Sequence, residues 1–408
     1  MKKSLIALAV AGAFAAPVAH AEVTLSGAIA MSVQYVNVGS GKNTAGGAVD
    51  SYSTEAISAG YSHIDLESVD DIGGGNKVLF HYQMQVNPMQ SSFNGAGGGG
   101  PFNRDSYIGA SGTWGSIKFG TNENAYERML YEADPLDGAW QMGGNLQMLG
   151  TPGANTIFDI GQDTCGSNLG APGGTTGGCA GFYRRTDQTV WYNSPDLNGF
   201  TFEIDYTLPA FKSVSGAPVS TNPQVLSIAG RYKPQEMPFQ AWIAYEEHKD
   251  MFGINVIAAS LPGGATGATT GAKDTGLQVG GGYTIGDLLL TAIIERLDYK
   301  ADNGPLTDYK RNAYWVGGKY NVPTGYIGAE AGVAQSASCS GTLSCNGTGA
   351  KMIAAGYWHN LSKQSQLFFI GNYLKNDENA TYAQAAQVGV SALGSKVYGM
   401  SLGIKHTF

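Results

Sequence analysis

The sequence predicts an all-β fold, a closed 16-stranded antiparallel transmembrane β-barrel. Three observations predict it. The mature chain begins and ends on long segments in which apolar and small or polar residues alternate. Between them lie further alternating segments, joined by connections that are short and long in turn. After residue 21 there is no apolar stretch long enough for a membrane helix, which takes about 20 residues.

Residues 1–21 are read as a secretory signal peptide and set aside from the fold. Lys2 and Lys3 make a basic start, Leu5 to Ala16 an apolar run too short to span a bilayer, and Ala19-His20-Ala21 a small-residue cleavage site. The barrel is then expected over 22–408. Its first strand puts Val23, Leu25, Ile29, Met31, Val33 and Tyr35 on one face and Thr24, Ser26, Ala28, Ala30, Ser32 and Gln34 on the other. Its last puts Tyr398, Met400, Leu402, Ile404, His406 and Phe408 on one face and Gly399, Ser401, Gly403, Lys405 and Thr407 on the other. This is the strand period of two. Left alone, either strand is an aggregation-prone edge. Pairing them closes the sheet and removes both edges.

The sixteen segments run at 23–37, 57–69, 76–88, 102–112, 116–121, 186–193, 199–209, 224–233, 238–249, 273–284, 287–300, 310–322, 325–337, 349–359, 365–375 and 396–408. In "FTFEIDYTL", for example, Phe200, Phe202, Ile204, Tyr206 and Leu208 share one face, with Thr201, Glu203, Asp205 and Thr207 opposite. Short connections such as "DDIGGG", "TWG" and "SPDLN" alternate with long, Gly-rich ones at 38–56, 88–101, 122–185, 210–223, 249–272, 300–309, 338–348 and 376–395. Short turns at one rim and long loops at the other are the outer-membrane pattern, and an even strand count puts both termini at the short-turn rim. A β-sandwich or propeller does not predict this rhythm. Aromatic residues near strand ends, among them Tyr35, Tyr61, Trp191, Trp242, Tyr283, Tyr299, Tyr314, Trp315, Trp358 and Phe408, are expected to form interfacial girdles.

Composition agrees with a barrel. Charged residues make up 14% of the chain and mean hydropathy is −0.12, because lipid-facing and lumen-facing residues average out. Without the signal peptide, 22 basic face 32 acidic residues, a formal net charge of −10. With no basic patch, this excludes a nucleic-acid-binding role. Four cysteines in an exported chain point to two disulfides. Three pairings are open, and local pairing, Cys165–Cys179 and Cys339–Cys345, is the economical expectation. The histidines are scattered, and no HExxH, G-x-S-x-G or Walker motif is present, so neither an enzyme nor a metal or cofactor site is expected. "EEHKD" at 246–250 is read as a solvated strand end.

Read in order, "VTLSGAI", "LESVDDIGGGNKVLF", "FNRDSYIGASGTWGSIKFG", "VWYNSPDLNGFTFEIDY" and the terminal "GIKHTF" resemble the general diffusion porins of Gram-negative bacteria, in particular the β-proteobacterial type. The resemblance covers the whole mature chain. It implies a homotrimer in the outer membrane, in contact with its lipid and lipopolysaccharide, passing ions and small hydrophilic solutes. It also implies that Phe408 belongs to a terminal signal read by the barrel-assembly machinery.

The resemblance further implies that the third external loop, here 122–185, folds into the lumen. Ala125, Tyr126, Met129, Leu130 and Ala133 recur at helical spacing before Pro135, while Glu123, Glu127 and Asp134 share another face. The expectation is an apolar stripe on the wall and carboxylates toward the pore. Family members face such a loop with wall arginines. Arg104 keeps one, whereas His63, Trp191 and Thr121 stand where arginine is common, and the face of His63 also carries Asp65 and Glu67. With Arg128 on the helix flank as a partial offset, the expected ion preference is weakly cationic. A substrate-specific channel and a plugged structural or adhesive barrel are the alternatives.

Overall fold

The computed structural model describes residues 22–88, 104–137, 142–153, 180–209, 222–264, 271–383 and 392–408. Sixteen antiparallel strands close one sheet, two of them built in two pieces. They are β1 (Glu22–Val38), β2 (Tyr52–Ser58 and His63–Gly73), β3 (Asn76–Gln85), β4 (Ser106–Gly112), β5 (Gly115–Glu123), β6 (Arg185–Asn193), β7 (Phe200–Thr207) and β8 (Gln224–Tyr232). Next come β9 (Phe239–Lys249), β10 (Lys273–Ile285), β11 (Leu288–Lys300), β12 (Leu306–Val322), β13 (Gly325–Ala334, continued by Ser338–Gly341), β14 (Ala350–Asn360), β15 (Ser365–Asn376) and β16 (Lys396–Thr407). Two short helices lie in long loops, α1 (Ala125–Tyr131) and α2 (Gly253–Ser260).

Closure is made by the two ends, as the alternating termini predict. β1 pairs with β16 from Ala28↔Thr407 to Val38↔Val397. Two backbone hydrogen bonds extend the seam, Gly27 N–H to Phe408 O and Phe408 N–H to Gly27 O, both 3.1 Å. With every strand paired on both sides, no backbone edge faces lipid.

The outer face is apolar because alternation puts it there. Val33, Ile294, Ile353, Leu402 and Ile404 are exposed, while their chain neighbours point inward. The turn between β2 and β3 shows why its glycines are needed: Gly73, Gly74 and Gly75 all have positive φ, which side chains rarely tolerate.

Two expectations change. The strand expected at 57–69 starts earlier and breaks at 59–62, where the Ser62 hydroxyl takes over ladder bonding to Ala30 (N–H to Oγ, 2.9 Å). The break turns Tyr61 inward, 6% exposed. The second change concerns the aromatic girdle. Tyr35, Tyr283, Tyr314 and Phe408 are exposed as expected, but Trp191, Trp242, Trp315 and Trp358 are buried on the inner face, with Tyr61 and Tyr299. Strand parity, not side-chain type, decides the side. Trp315 lies between outward Tyr314 and Val316, and its ring fills the space above Gly332, where any Cβ would collide with it.

Candidate functional site

The inner face has one feature that the regular strands do not dictate. The segment after β5 packs against it and is held by side chains from successive strands. The Ala125 N–H donates to Asp205 of β7 (2.6 Å) and the Tyr126 N–H to Ser227 of β8 (3.0 Å). Gln278 of β10 donates to the Tyr126 carbonyl (2.8 Å), and Thr291 of β11 to that of Ala133 (3.0 Å). Farther along, Glu295 of β11 accepts from the Tyr126 hydroxyl (2.9 Å) and the Gly150 N–H (2.6 Å), and pairs with Arg311 of β12. Arg311 in turn donates to the Met148 carbonyl (2.9 Å). These backbone groups of the irregular segment thus meet wall side chains, as buried backbone requires.

Apolar contacts fill the rest. Tyr126, Leu130, Leu136, Met142, Met148 and Phe182 from the segment join Ile293, Leu297, Trp315 and Ile370 from the wall in one buried cluster. The apolar stripe expected over 125–133 forms at the place the spacing gave, with α1 ending before Pro135. Trp140, Phe158, Cys165 and Cys179 lie outside the described residues.

Opposite this packed side is an opening of about 480 Å³, lined by Tyr61, Gln83, Arg104, Asp105, Glu123 and Arg185 on one flank, Lys319 and Tyr326 on another, and Tyr131, Asp134 and Asp137 from the segment. Its charges are largely matched. Arg185 bridges Asp105 (2.8 Å) and Glu123 (2.6 Å), and Lys405 meets Asp137 (2.8 Å). Arg104 is held by neutral groups, donating to Gln83 (2.7 Å) with its guanidinium 4.7 Å from the Tyr61 ring centre. Lys319 sits 3.9 Å from the Tyr326 ring centre. Among the described residues neither has a carboxylate at ion-pair distance.

Against the sequence reading, Glu123, Asp134 and Arg104 line the opening, and Glu127 does not. Glu127 is 3% exposed, turned under the helix where Tyr131 donates to it (2.6 Å). Burial and then the neighbouring Glu123 carboxylate push its pKa up to about 8. The helical angle grouped it with Glu123, but the wall packs against that part of α1 as well. Arg128 is likewise not a free offset, since it pairs with Glu203 of β7 (2.6 Å). Asp65 is buried between His63 (3.2 Å) and His81 (3.3 Å) and accepts from Gln83 (2.7 Å), while Glu67 meets His81 (3.0 Å). These five side chains form a hydrogen-bonded patch beside the opening rather than a bare acidic one.

Sequence reasoning missed Arg185, Lys319, Asp105 and Asp137. A signal existed for the Gln83 and His81 contacts: drawing the hairpin sets Asp65 opposite Gln83 and Glu67 opposite His81. "EEHKD" is also corrected. Glu246 and His248 are fully buried and 2.6 Å apart on the inner face, because the strand continues through them, and only Glu247 and Lys249 turn outward. Among the described residues no cluster of three or more His, Cys, Asp or Glu can hold a metal ion. Cys339 and Cys345 are bonded to each other, as local pairing predicts.

Comparison with known proteins fits this architecture. The chain is 26% identical to outer membrane porin protein 32 of Delftia acidovorans and 25% identical to an outer membrane porin protein of Bordetella pertussis, in each case over all of both chains. Among solved structures it resembles the anion-selective porin from Comamonas acidovorans, with a TM-score of 0.70 at 23% identity over 95% of this chain and 100% of that one. It also resembles OmpT of Vibrio cholerae, with a TM-score of 0.61 at 11% identity over 96% and 99%. A family model of the Gram-negative porins matches residues 7–379, so this outer-membrane barrel belongs to that family.

Proposed function

We propose that the chain forms a water-filled channel for passive diffusion of ions and small hydrophilic solutes, narrowed by the loop at 122–185. The observation that carries this reading is the juxtaposition across one opening: Tyr131, Asp134 and Asp137 from the loop face Arg104, Arg185 and Lys319 from the wall. A narrow passage between low-dielectric walls focuses the field of such groups. Apolar contacts pin the loop to the other side of the barrel, which leaves the charged flank clear.

We further propose a weak preference for anions, the reverse of the sign expected from the sequence. That expectation counted Glu127 as a pore carboxylate and Arg104 as the sole confident wall arginine. Burial keeps Glu127 largely uncharged at neutral pH. Arg185 bridges two of the lining carboxylates and Lys405 meets a third, which leaves one net negative charge among these five groups. Arg104 and Lys319, held by neutral partners, offset that charge and Asp134, so the opening is close to neutral rather than acidic, and its two positive charges without a carboxylate partner set the weak anion preference. The solved relative described as anion-selective supports the same sign. A homotrimer follows from the family, one of whose structural relatives, OmpT of Vibrio cholerae, is described in a trimer form. A role for Phe408 in assembly is carried over in the same way.

The test is a planar bilayer with a KCl gradient. Stable ohmic steps with a reversal potential on the anion side are expected. Arg104→Gln with Lys319→Gln should move the potential to the cation side, and Asp134→Asn should move it further toward anions. Both effects should fade near 1 M salt, where the screening length is about 3 Å. A cation-selective wild type would overturn the sign. Absence of conductance would overturn the channel.

A further inference from the structure

Arg104 stands at the end of a chain of side chains that crosses β2 and β3, where Asp65 is paired opposite Gln83 and Glu67 opposite His81. Arg104 Nε donates to Gln83 Oε1 (2.7 Å). The other end of the same amide, Gln83 Nε2, donates to Asp65 Oδ1 (2.7 Å). His81 follows, with Nε2 3.3 Å from Asp65 Oδ1 and Nδ1 3.0 Å from Glu67 Oε1. His63 covers the far side of Asp65, with Nε2 3.2 Å from Oδ2 and Nδ1 2.7 Å from the Tyr61 carbonyl. Arg104 and Asp65 are both 6% exposed, so water does little to replace these partners.

Donor and acceptor roles along this chain are constrained. A guanidinium only donates and a carboxylate ion only accepts, so the Gln83 amide has one orientation. It ties a cation to an anion while keeping them apart, which fixes Arg104 without cancelling its charge. The imidazoles are constrained in the same way. Both nitrogens of His81 face carboxylates, so both contacts are attractive only when the ring carries two protons. The Nδ1 of His63 meets a carbonyl and donates to it, so a favourable contact from Nε2 to Asp65 again takes a second proton. With both rings protonated, two positive charges meet two negative ones. With both neutral, the charges of Asp65 and Glu67 stand alone. The other groups around His81 do not supply a counter-charge. The Tyr107 ring of β4 stacks on it, 5.2 Å between ring centres, and Lys118 of β5 lies beyond, 5.0 Å from the centre of the Tyr107 ring. Asp105 is turned to Arg185 (2.8 Å) and to the Glu123 N–H (3.1 Å).

We propose that His81 is a specificity-determining residue of the channel, compensating Asp65 and Glu67 when protonated, and that Gln83 is the positioning residue that ties this arrangement to Arg104. Loss of the His81 proton turns its contacts with the two carboxylates from attractive to repulsive. The flank that carries Arg104 then becomes more acidic, and the ion preference moves toward cations. A field set by few charges in a narrow passage is sensitive to each of them. The inference rests on the channel reading above and on Arg104 as one of the charges that set its sign.

The experiment reads the reversal potential of the protein in a planar bilayer under a KCl gradient at low salt, from about pH 5 to about pH 9, a range that spans ordinary histidine titration. Glu127 titrates within the same range, so each variant is read as its difference from the wild type. His81→Gln, always neutral, should lie toward the cation side at the acid end, with the chloride-to-potassium permeability ratio lowered roughly twofold, as one unit charge gives across about 8 Å of water. His81→Arg, always charged, should lie toward the anion side at the alkaline end. A merely structural role would displace both variants alike. Arg104→Gln should move the potential about half as far in a Gln83→Leu background as in the wild type, because Arg104 is no longer held at the opening. Full additivity would overturn the positioning role of Gln83. Protonation is read apart from current by NMR of isotope-labelled histidine in the detergent-solubilised protein. The signal absent from His81→Gln should titrate with the midpoint of the potential. Displacement of both His81 variants in one direction, or a His81 ring that keeps a single proton throughout, would overturn the proposal. A wild type that prefers cations at every pH, with both variants displaced as stated, would overturn the weak anion preference and support the role of His81. Absence of conductance would overturn the channel reading, and the NMR titration would still decide the protonation of His81.

Discussion

The inner wall is two surfaces on one sheet. Around Glu295, Trp315 and Ile370 it is buried core, with a loop laid across it whose Tyr126 hydroxyl and Gly150 N–H both bond to Glu295. Around Arg104, Arg185 and Gln83 it is polar, half-open and crossed by ion pairs. The outer face is nearly uniform on both sides because the bilayer demands it. Freed from that demand, the inner face can be used as core on one side and as passage on the other. The first side fixes where the second can be.

Removing the pin between loop and wall should have the largest effect. Glu295 accepts from Tyr126, Gly150 and Arg311, all deep in the packed side. Glu295→Ala leaves Arg311 charged, buried and unmatched, which costs about 3–5 kcal/mol. Faster proteolytic nicking within 122–153 and noisier single-channel current are expected. Glu295→Met with Arg311→Leu sharpens the comparison. It removes the uncompensated charge but still strands the Gly150 N–H and the Met148 carbonyl, so it should recover only part of the loss. Full recovery would mean that apolar packing alone holds the loop.

Much of this architecture was legible in the sequence, and the limits are physical. Alternation gave the strands and the closure of β1 on β16, since each register slip would turn an apolar face inward. It also gave α1, because Tyr126, Leu130 and Ala133 recur at helical spacing. Which residues meet across the opening was not legible. Arg185 reaches Asp105 and Glu123 from 80 and 62 residues away, and no local pattern marks such a contact. Glu127 misled for a related reason. Its helical angle was readable, but the second wall that covers it was not. Three of the inward tryptophans, Trp242, Trp315 and Trp358, were legible in principle, since each lies on the face opposite exposed aliphatic residues.

Glu127 offers an intermediate test of where the packed side ends. Its ordinary value is 4.5 and burial raises it to about 8 in the folded loop. The folded state therefore holds a proton that the detached loop has released across that interval. The sign follows from linkage: this group's contribution is full below about 4.5, falls as pH rises toward 8, and is lost above it. Loop-dependent current noise should rise from pH 5 to pH 9 in the wild type. Glu127→Gln, fixed in the neutral form, should remove that component and leave only the titration of other groups. If the variant has the same pH profile as the wild type, Glu127 is solvated and belongs to the passage after all.

The smallest effect is expected far from both surfaces, at the Cys339–Cys345 bridge. It closes a loop of six residues' separation beyond β13, and loops this short give about 2 kcal/mol at most by chain entropy. Here less should be at stake, because the same loop is tied twice more: Thr348 donates to the Cys345 carbonyl (2.8 Å) and accepts from the Ala337 N–H (2.9 Å). Cys339→Ser with Cys345→Ser should lower the melting temperature by a few degrees at most and leave conductance and reversal potential unchanged. Peptide mapping without reductant should recover Cys339 joined to Cys345, and Cys165 joined to Cys179. The second bridge would lie inside the loop at 122–185, so on the proposed reading its removal should alter current noise where removal of the first does not. A variant lacking Cys339–Cys345 that changes ion selectivity would show that this rim loop reaches the passage.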